Sequence, residues 1–248
     1  MKYSKLTRRK GFIFLLLFMQ NIILLHGALG CSSDLSAISS EFEKNNLKSH
    51  SFSFSGHGKT PYNNSFGIEQ FAWELESYIR SNNLAAPIVF GYSMGGYVAL
   101  YLASKHPSLI KNIITLGTKF NWNKQTVEKE TAMLNPEIIS QKVPAFAKTL
   151  EHKHGENWKT LLQKTATLMW EIHEKNFLND EVLKGIQTDT LIGLGDKDHM
   201  VTMEETYHVY KKLTQANMYV LPETKHMLET VNPKTLSDLL LPYINGRI

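Results

Sequence analysis

The sequence predicts an α/β protein built on a mostly parallel, doubly wound sheet. Three observations predict it. Short apolar runs alternate with segments of helical periodicity, the runs are apolar at nearly every position, and no internal repeat or low-complexity tract breaks the pattern. A strand without polar alternation has both faces covered, which is the setting of parallel strands joined by helices. The 248 residues suit one domain with a sizeable insertion rather than several independent units. At 42% hydrophobic and 20% charged residues, the chain can bury a full core.

The elements follow in order. Ile22–Leu25 reads as a strand and Asp34–Asn45 as a helix whose start Ser33 or Asp34 could cap. Ser49–Phe54 alternates phenylalanine with serine or histidine and stops at Gly56-His57-Gly58, a strand meeting a loop. Ile68–Ser81 carries Ile68, Phe71, Ala72, Leu75, Tyr78 and Ile79 on one helical face. Pro87–Phe90, Asn112–Leu116, Thr190–Leu194 and Met218–Leu221 read as further strands. Tyr97–Ser104, Glu204–Leu213 and Thr230–Leu240 read as helices.

From Asn123 to Gly185 the alternation stops and only helical patterning remains, with Met133, Ile138, Phe146, Leu150, Trp158, Leu161, Leu162, Leu168, Met169 and Trp170 among its apolar positions. A structureless connection of that length is foreign to a compact domain. The expected organisation is a core of residues 19–122 and 186–248 with a helical lid over 123–185.

Charge is concentrated at one end. The formal net charge is +4, but Lys2, Lys5, Arg8, Arg9 and Lys10 supply five positive charges, leaving 22 basic against 23 acidic residues in the rest. A nearly neutral body excludes nucleic-acid binding by electrostatics. The single cysteine, Cys31, excludes an intramolecular disulfide framework and any multi-cysteine metal site.

The basic start, the apolar run Gly11–Leu25 and Ala28-Leu29-Gly30-Cys31 together have the outline of a secretory signal, with a weak lipoprotein-like cleavage site before Cys31. Gln20 and Asn21 interrupt the run and argue against a spanning helix. The competing reading makes residues 1–18 a leader or upstream extension, with Met19 as a natural start, because a cut at Cys31 would remove the first strand and its loop. On that reading the protein is cytoplasmic; the alternative is export or membrane association through residues 1–31, with membrane contact only if the leader is retained.

Four places carry chemistry. Gly91-Tyr92-Ser93-Met94-Gly95 is a G-x-S-x-G between a strand and a helix, a context that exposes a serine on a tight turn at a helix N-terminus. His26-Gly27-Ala28-Leu29-Gly30 directly follows the first strand, and its small residues let the Ala28 N–H join that of Met94 as an oxyanion-binding pair. Gly195-Asp196-Lys197-Asp198-His199 follows the strand Thr190–Leu194 at the edge where parallel sheets gather ligands. Asp198 is favoured over Asp196 as an orienting carboxylate because Asp196 suits a turn-supporting role, and His199 reads as a loop neighbour. His226 follows the last strand and completes the order serine, aspartate, histidine, which singles it out among ten histidines. His152-Lys153-His154 reads as a solvated helix end rather than a metal site, and His57 as structural.

On these motifs the chain, over roughly residues 20–245, resembles the α/β-hydrolase fold family with a helical lid. The resemblance implies Ser93 as nucleophile, His226 as base, Asp198 as its partner, and Ala28 and Met94 as oxyanion donors, with no metal or organic cofactor. It implies a trimmed sheet that begins at the family's third strand. One departure stands: family members often read Asp-x-Pro-Gly-His-Gly-x-Ser where this chain reads Ser53-Phe-Ser-Gly-His57-Gly-Lys-Thr60. The implied reaction is hydrolysis of an ester with a small or medium, largely apolar acyl group, in a pocket expected from Trp122, Phe146, Trp158, Met169 and Trp170, with Trp122, Phe146 and Trp170 as the substrate contacts. Thioester or carbon–carbon cleavage on the same triad is the alternative, and a non-catalytic ligand-binding or lipid-anchored protein is the reading of another class. A serine at this position argues against dehalogenation, which uses aspartate there. The expected partner is a small-molecule acyl substrate, and the sequence is silent on oligomeric state.

Overall fold

The computed structural model describes residues 19–63 and 65–246; the leader expected over 1–18 lies outside the described residues. In chain order the first elements are β1 (Gln20–Leu25), α1 (Ser36–Lys44), β2 (Leu47–Ser51), α2 (Ile68–Ser81), β3 (Ile88–Tyr92), α3 (Met94–Lys105) and β4 (Asn112–Leu116). Five helices then intervene: α4 (Lys124–Ala132), α5 (Pro136–Lys142), α6 (Pro144–His154), α7 (Trp158–Lys175) and α8 (Asp180–Gly185). The chain closes with β5 (Asp189–Gly195), α9 (Met203–Lys212), β6 (Ala216–Leu221) and α10 (Pro233–Ile244).

The six strands form one all-parallel sheet in the order β2-β1-β3-β4-β5-β6. Successive side chains point to opposite faces, so each strand feeds two cores. Ile23, Leu25, Val89, Ile113 and Ile192 pack with α2, α3 and α9, whereas Ile22, Leu24, Ile88, Phe90, Ile114 and Leu191 pack with α1 and α10. The intervening helices have a small core of their own in Ile139, Ala147, Leu150, Trp158 and Leu162. Leu168 and Ile172 of α7 and Leu183 of α8 instead join the main core, so this region shares buried surface with the sheet layer.

Several boundaries differ from the sequence reading. The strand expected over Ser49–Phe54 is Leu47–Ser51, because its pairing with β1 runs from Gln20 opposite Leu47 to Leu24 opposite Ser51. Phe52 and Phe54 lie beyond it in an aromatic cluster with Phe71 and Tyr78. The helix expected from Asp34 begins with a single 3-10 turn, Ser32–Leu35, where the Asp34 carboxylate accepts the Cys31 N–H at 3.0 Å. The last helix starts at Pro233 rather than Thr230, since Asn232 caps it through the Thr235 N–H and proline suits the first helical position.

β1 pairs with β2 on one side and β3 on the other, so a chain cut before Cys31 would lose an interior strand of this sheet. Among the described residues, no helix is long and apolar enough to cross a membrane.

Candidate active site

From β1 the chain turns to one side for β2 and then crosses to the other for β3, so the order reverses between β1 and β3. Clefts at such a reversal, beyond the strand carboxyl ends, are where open parallel sheets bind ligands. The loop Gly27–Gly30 leaves β1 there, and Ser93 sits between β3 and α3. Ser93 has φ 50° and ψ −117°, a conformation that costs a non-glycine residue about 1–3 kcal/mol. The neighbouring glycines make the turn possible: a Cβ on Gly91 would lie 2.4 Å from the Gly96 nitrogen, and one on Gly95 2.6 Å from the Leu25 carbonyl oxygen.

The turn presents the Ser93 Oγ to His226, whose Nε2 lies 3.3 Å away. His226 Nδ1–H donates to Asp198 Oδ2 at 2.8 Å. An acceptor on Nδ1 fixes the proton there and leaves Nε2 free to accept the serine proton. Asp198 is anchored in turn, its Oδ1 accepting the Met200 and Val201 N–H groups, each at 2.8 Å. Burial pushes the Asp198 carboxyl up, but His226 and the two backbone donors outweigh it and hold the group below its ordinary value. Tyr92 next to the serine donates its hydroxyl to the His226 carbonyl, steadying the loop after β6.

Asp196 has a different place. Its exposed carboxylate accepts the Thr224 N–H at 3.1 Å, while Lys197 N–H donates to the Thr224 carbonyl at 3.0 Å. These bonds tie the loop after β5 to the one that carries His226. His199 is exposed on the same turn.

Ala28 and Met94 line the same cavity as Ser93. Among the described residues neither N–H donates to a protein acceptor, and Met94 opens α3, whose N-terminal groups have no intrahelical partner. The cavity holds about 430 Å³ of empty space counted out to its mouth, and Tyr97, Trp122, Leu168, Met169, Ile172 and Met200 contribute to its walls. Of the three aromatic residues expected to meet substrate, only Trp122 lies on that wall. Phe146 is exposed on α6, and Trp170 sits edge-on to His173 outside the cavity. Met169, which the sequence also offers for the acyl pocket, lies on the wall, whereas Trp158 does not. The wall is completed by Thr165, Leu168 and Ile172, which with Met169 are spaced as one face of α7, and that periodicity could have found them.

Lys119, a largely buried residue of the same wall, donates to the Met200 carbonyl at 2.7 Å and pairs with Glu205 at 3.4 Å. Burial raises the Glu205 carboxyl, opposed by Lys119 and the Phe120 N–H. Lys119 thereby joins α9 to the Asp198 turn.

A second cluster lies behind the Ala28 loop. His26 is fully buried, donating from Nδ1 to the Gly27 carbonyl at 2.8 Å and accepting the Phe54 N–H on Nε2 at 3.1 Å. His154 accepts the Gly58 N–H on Nδ1 at 2.9 Å and donates from Nε2 to the Leu29 carbonyl at 3.0 Å. Lys153 reaches Asp34 at 2.8 Å. The end of α6 is therefore docked on two core loops, not solvated as the sequence suggested for His152-Lys153-His154; of the three, only His152 is exposed. Leu29 and Leu134 lie against the small helical core, which supplies the apolar surface for this docking. In the variant loop, Ser53 takes over local bonding, its Oγ accepting the Ser32 N–H at 3.0 Å. His57, fully buried, lies with its ring 4.9 Å from that of His26 and tilted against it.

The sheet, its reversal and the serine turn define an α/β hydrolase, and comparison with known proteins agrees. The family profile described as alpha/beta hydrolase fold matches residues 20–138, and the parallel sheet and serine turn of this chain are those of a hydrolytic enzyme of that fold. Among curated proteins it is similar to Lipase 3 of a Moraxella species, 24% identical over 85% of this chain and 73% of that one. It is also similar to the proline iminopeptidase PfmaB of Pestalotiopsis fici, 24% identical over 92% of this chain and 91% of that one. Among solved structures, the 2-hydroxy-6-oxo-6-phenylhexa-2,4-dienoate hydrolase of a Rhodococcus species superimposes with a TM-score of 0.76, at 16% identity over 92% of this chain and 91% of that one. Relatives so diverse in the bonds they are named for leave the scissile bond of this chain to be argued from its own site.

Proposed function

We propose that the protein is a serine hydrolase that cleaves an ester with a small or medium, largely apolar acyl group through an acyl-enzyme. The observation that carries this reading is the line from Ser93 Oγ through His226 to Asp198, with separations of 3.3 and 2.8 Å, opening on an apolar cavity. His226 takes the Ser93 proton as the oxygen attacks the carbonyl carbon, and Asp198 stabilises the imidazolium. The Ala28 and Met94 N–H groups receive the oxyanion, where one such donor is typically worth about 10²–10³ in turnover. His226 then returns the proton to the leaving alcohol, and water, activated by the same ring, releases the acid. Helices α4–α8 act as the lid that walls the acyl site. The substrate is a small molecule, and the reaction needs no cofactor.

Intact-mass analysis after treatment with a fluorophosphonate tests the reading. The wild type should gain one adduct and Ser93→Ala none; a folded wild type that stays unlabelled would exclude an activated serine. A panel of matched esters and thioesters then separates ester hydrolysis from the alternative on the same triad.

A further inference from the structure

Five other side chains have a buried polar atom without a hydrogen-bond partner among the described residues, but of the six residues only Thr165 lines the Ser93 cavity. Thr165 is 1% exposed and stands in the middle of α7. A helical threonine usually returns its hydroxyl to the carbonyl four residues back, as Thr131, Thr149, Thr167 and Thr206 do here. Thr165 Oγ1 makes no such bond. Burying a hydroxyl without a partner is unfavourable, and natural sites keep one where something else completes it.

We propose that Thr165 is a specificity-determining residue and that its hydroxyl receives an oxygen carried by the acyl chain of the substrate. The substrate class is therefore a short oxo-, hydroxy- or alkoxy-acyl ester rather than a plain alkanoate. The oxygen is a neutral one. Lys119, the cationic side chain on this wall, is already matched by Glu205 and the Met200 carbonyl, so a substrate carboxylate would find no free countercharge there. The remaining wall is apolar carbon from Leu168, Met169, Ile172 and Trp122, so a single polar contact decides between chains of equal length. A site built to bond a substrate oxygen discriminates against the analogue that lacks it, because its own group is left unpaired.

This inference rests on the acyl-enzyme reading, and the test separates the two. A series of fluorophosphonates with short alkyl chains, each paired with its oxo or ether isostere, is used to label wild type, Thr165→Val and Thr165→Ser. The second-order labelling rates are read by intact mass. The oxygenated-to-alkyl rate ratio should fall about tenfold in Thr165→Val for the best pair and be largely kept in Thr165→Ser. Thr165→Val should also match or exceed the wild-type Tm, since an isosteric side chain replaces an unpaired hydroxyl, which shows that the ratio does not report misfolding. Labelling with the same ratio in all three proteins, across every pair, overturns the subsite and leaves the nucleophile standing. A wild type that no probe labels overturns both.

Discussion

His154 of α6 donates its Nε2–H to the carbonyl of Leu29 at 3.0 Å, one residue beyond Ala28. Leu29 has φ 57°, a left-handed conformation that a leucine holds only under restraint. The same ring accepts the Gly58 N–H, so one side chain of α6 fixes the strained loop and braces it against the loop after β2. His154→Ala leaves a donor and an acceptor without partners and should cost about 1–3 kcal/mol in urea unfolding. If the restraint aims the Ala28 N–H, kcat should fall about tenfold or more with KM little changed, because oxyanion contacts form in the transition state. An unchanged kcat in a destabilised variant would reduce His154 to a structural strut.

Three buried rings make stability depend on pH in one direction. Burial lowers His26 to about 4 from 6.5, despite the opposing Gly27 bond, and its acceptor nitrogen faces the Phe54 N–H, which a proton there would oppose. Burial also lowers His57 well below its ordinary value and lowers His154, near Lys153 and Asp34. Between about 4 and 6.5 the unfolded chain therefore binds more protons than the folded one, so stability rises with pH across that window and is lost as pH falls through it. His26 alone accounts for about 3 kcal/mol. Urea midpoints measured at steps across the window should drop steadily toward acid. A flat profile would mean the rings titrate in the fold as they do in the unfolded chain.

Sequence reasoning located the elements where periodicity or a start signal governs them. Ile68–Ser81 and Asn112–Leu116 coincide with α2 and β4 to the residue, because an apolar face and a β-branched run specify them locally. β2 was displaced because its register is set by β1, a partner distant in sequence, and not by the phenylalanine alternation that continues past it. The sequence also singled out the stretches that carry Ser93, His226 and Asp198, each of which follows a strand at one sheet edge. The α7 stripe is legible as a helical face, but neither the cavity it walls nor the His154 contacts are. Both depend on how α6 and α7 lie against loops from the first sixty residues, and nothing in the local sequence encodes that packing.

Ser93→Ala should abolish turnover, by about 10⁶ on the proposed mechanism, while changing stability little, since the side chain bonds only His226. Ser93→Gly should be equally inactive yet unfold at higher temperature than Ser93→Ala. At φ 50° glycine removes the Cβ strain and gains about 1 kcal/mol, minus the cost of its extra freedom when unfolded. Paired melting curves of the two variants check this. An alanine variant as stable as the glycine one would show that the turn is not strained, and residual turnover in either would move the nucleophile elsewhere.

Asp198→Asn and Asp196→Asn differ by one atom each and should differ widely in rate. In Asp198→Asn the side chain can still accept the Met200 and Val201 N–H groups through its oxygen, but its amide then faces His226 Nδ1 with a donor. The ring must turn its proton to Nε2 and can no longer accept one from Ser93, so kcat should fall by about 10⁴ at neutral pH. Asp196→Asn keeps an oxygen for the Thr224 N–H and touches neither Ser93 nor His226, so its rate should stay within a few-fold of wild type. Stopped assays of both variants with one activated ester settle the ranking. Comparable losses would mean that the loop after β5 acts through its shape, and the reverse order would transfer the orienting role to Asp196.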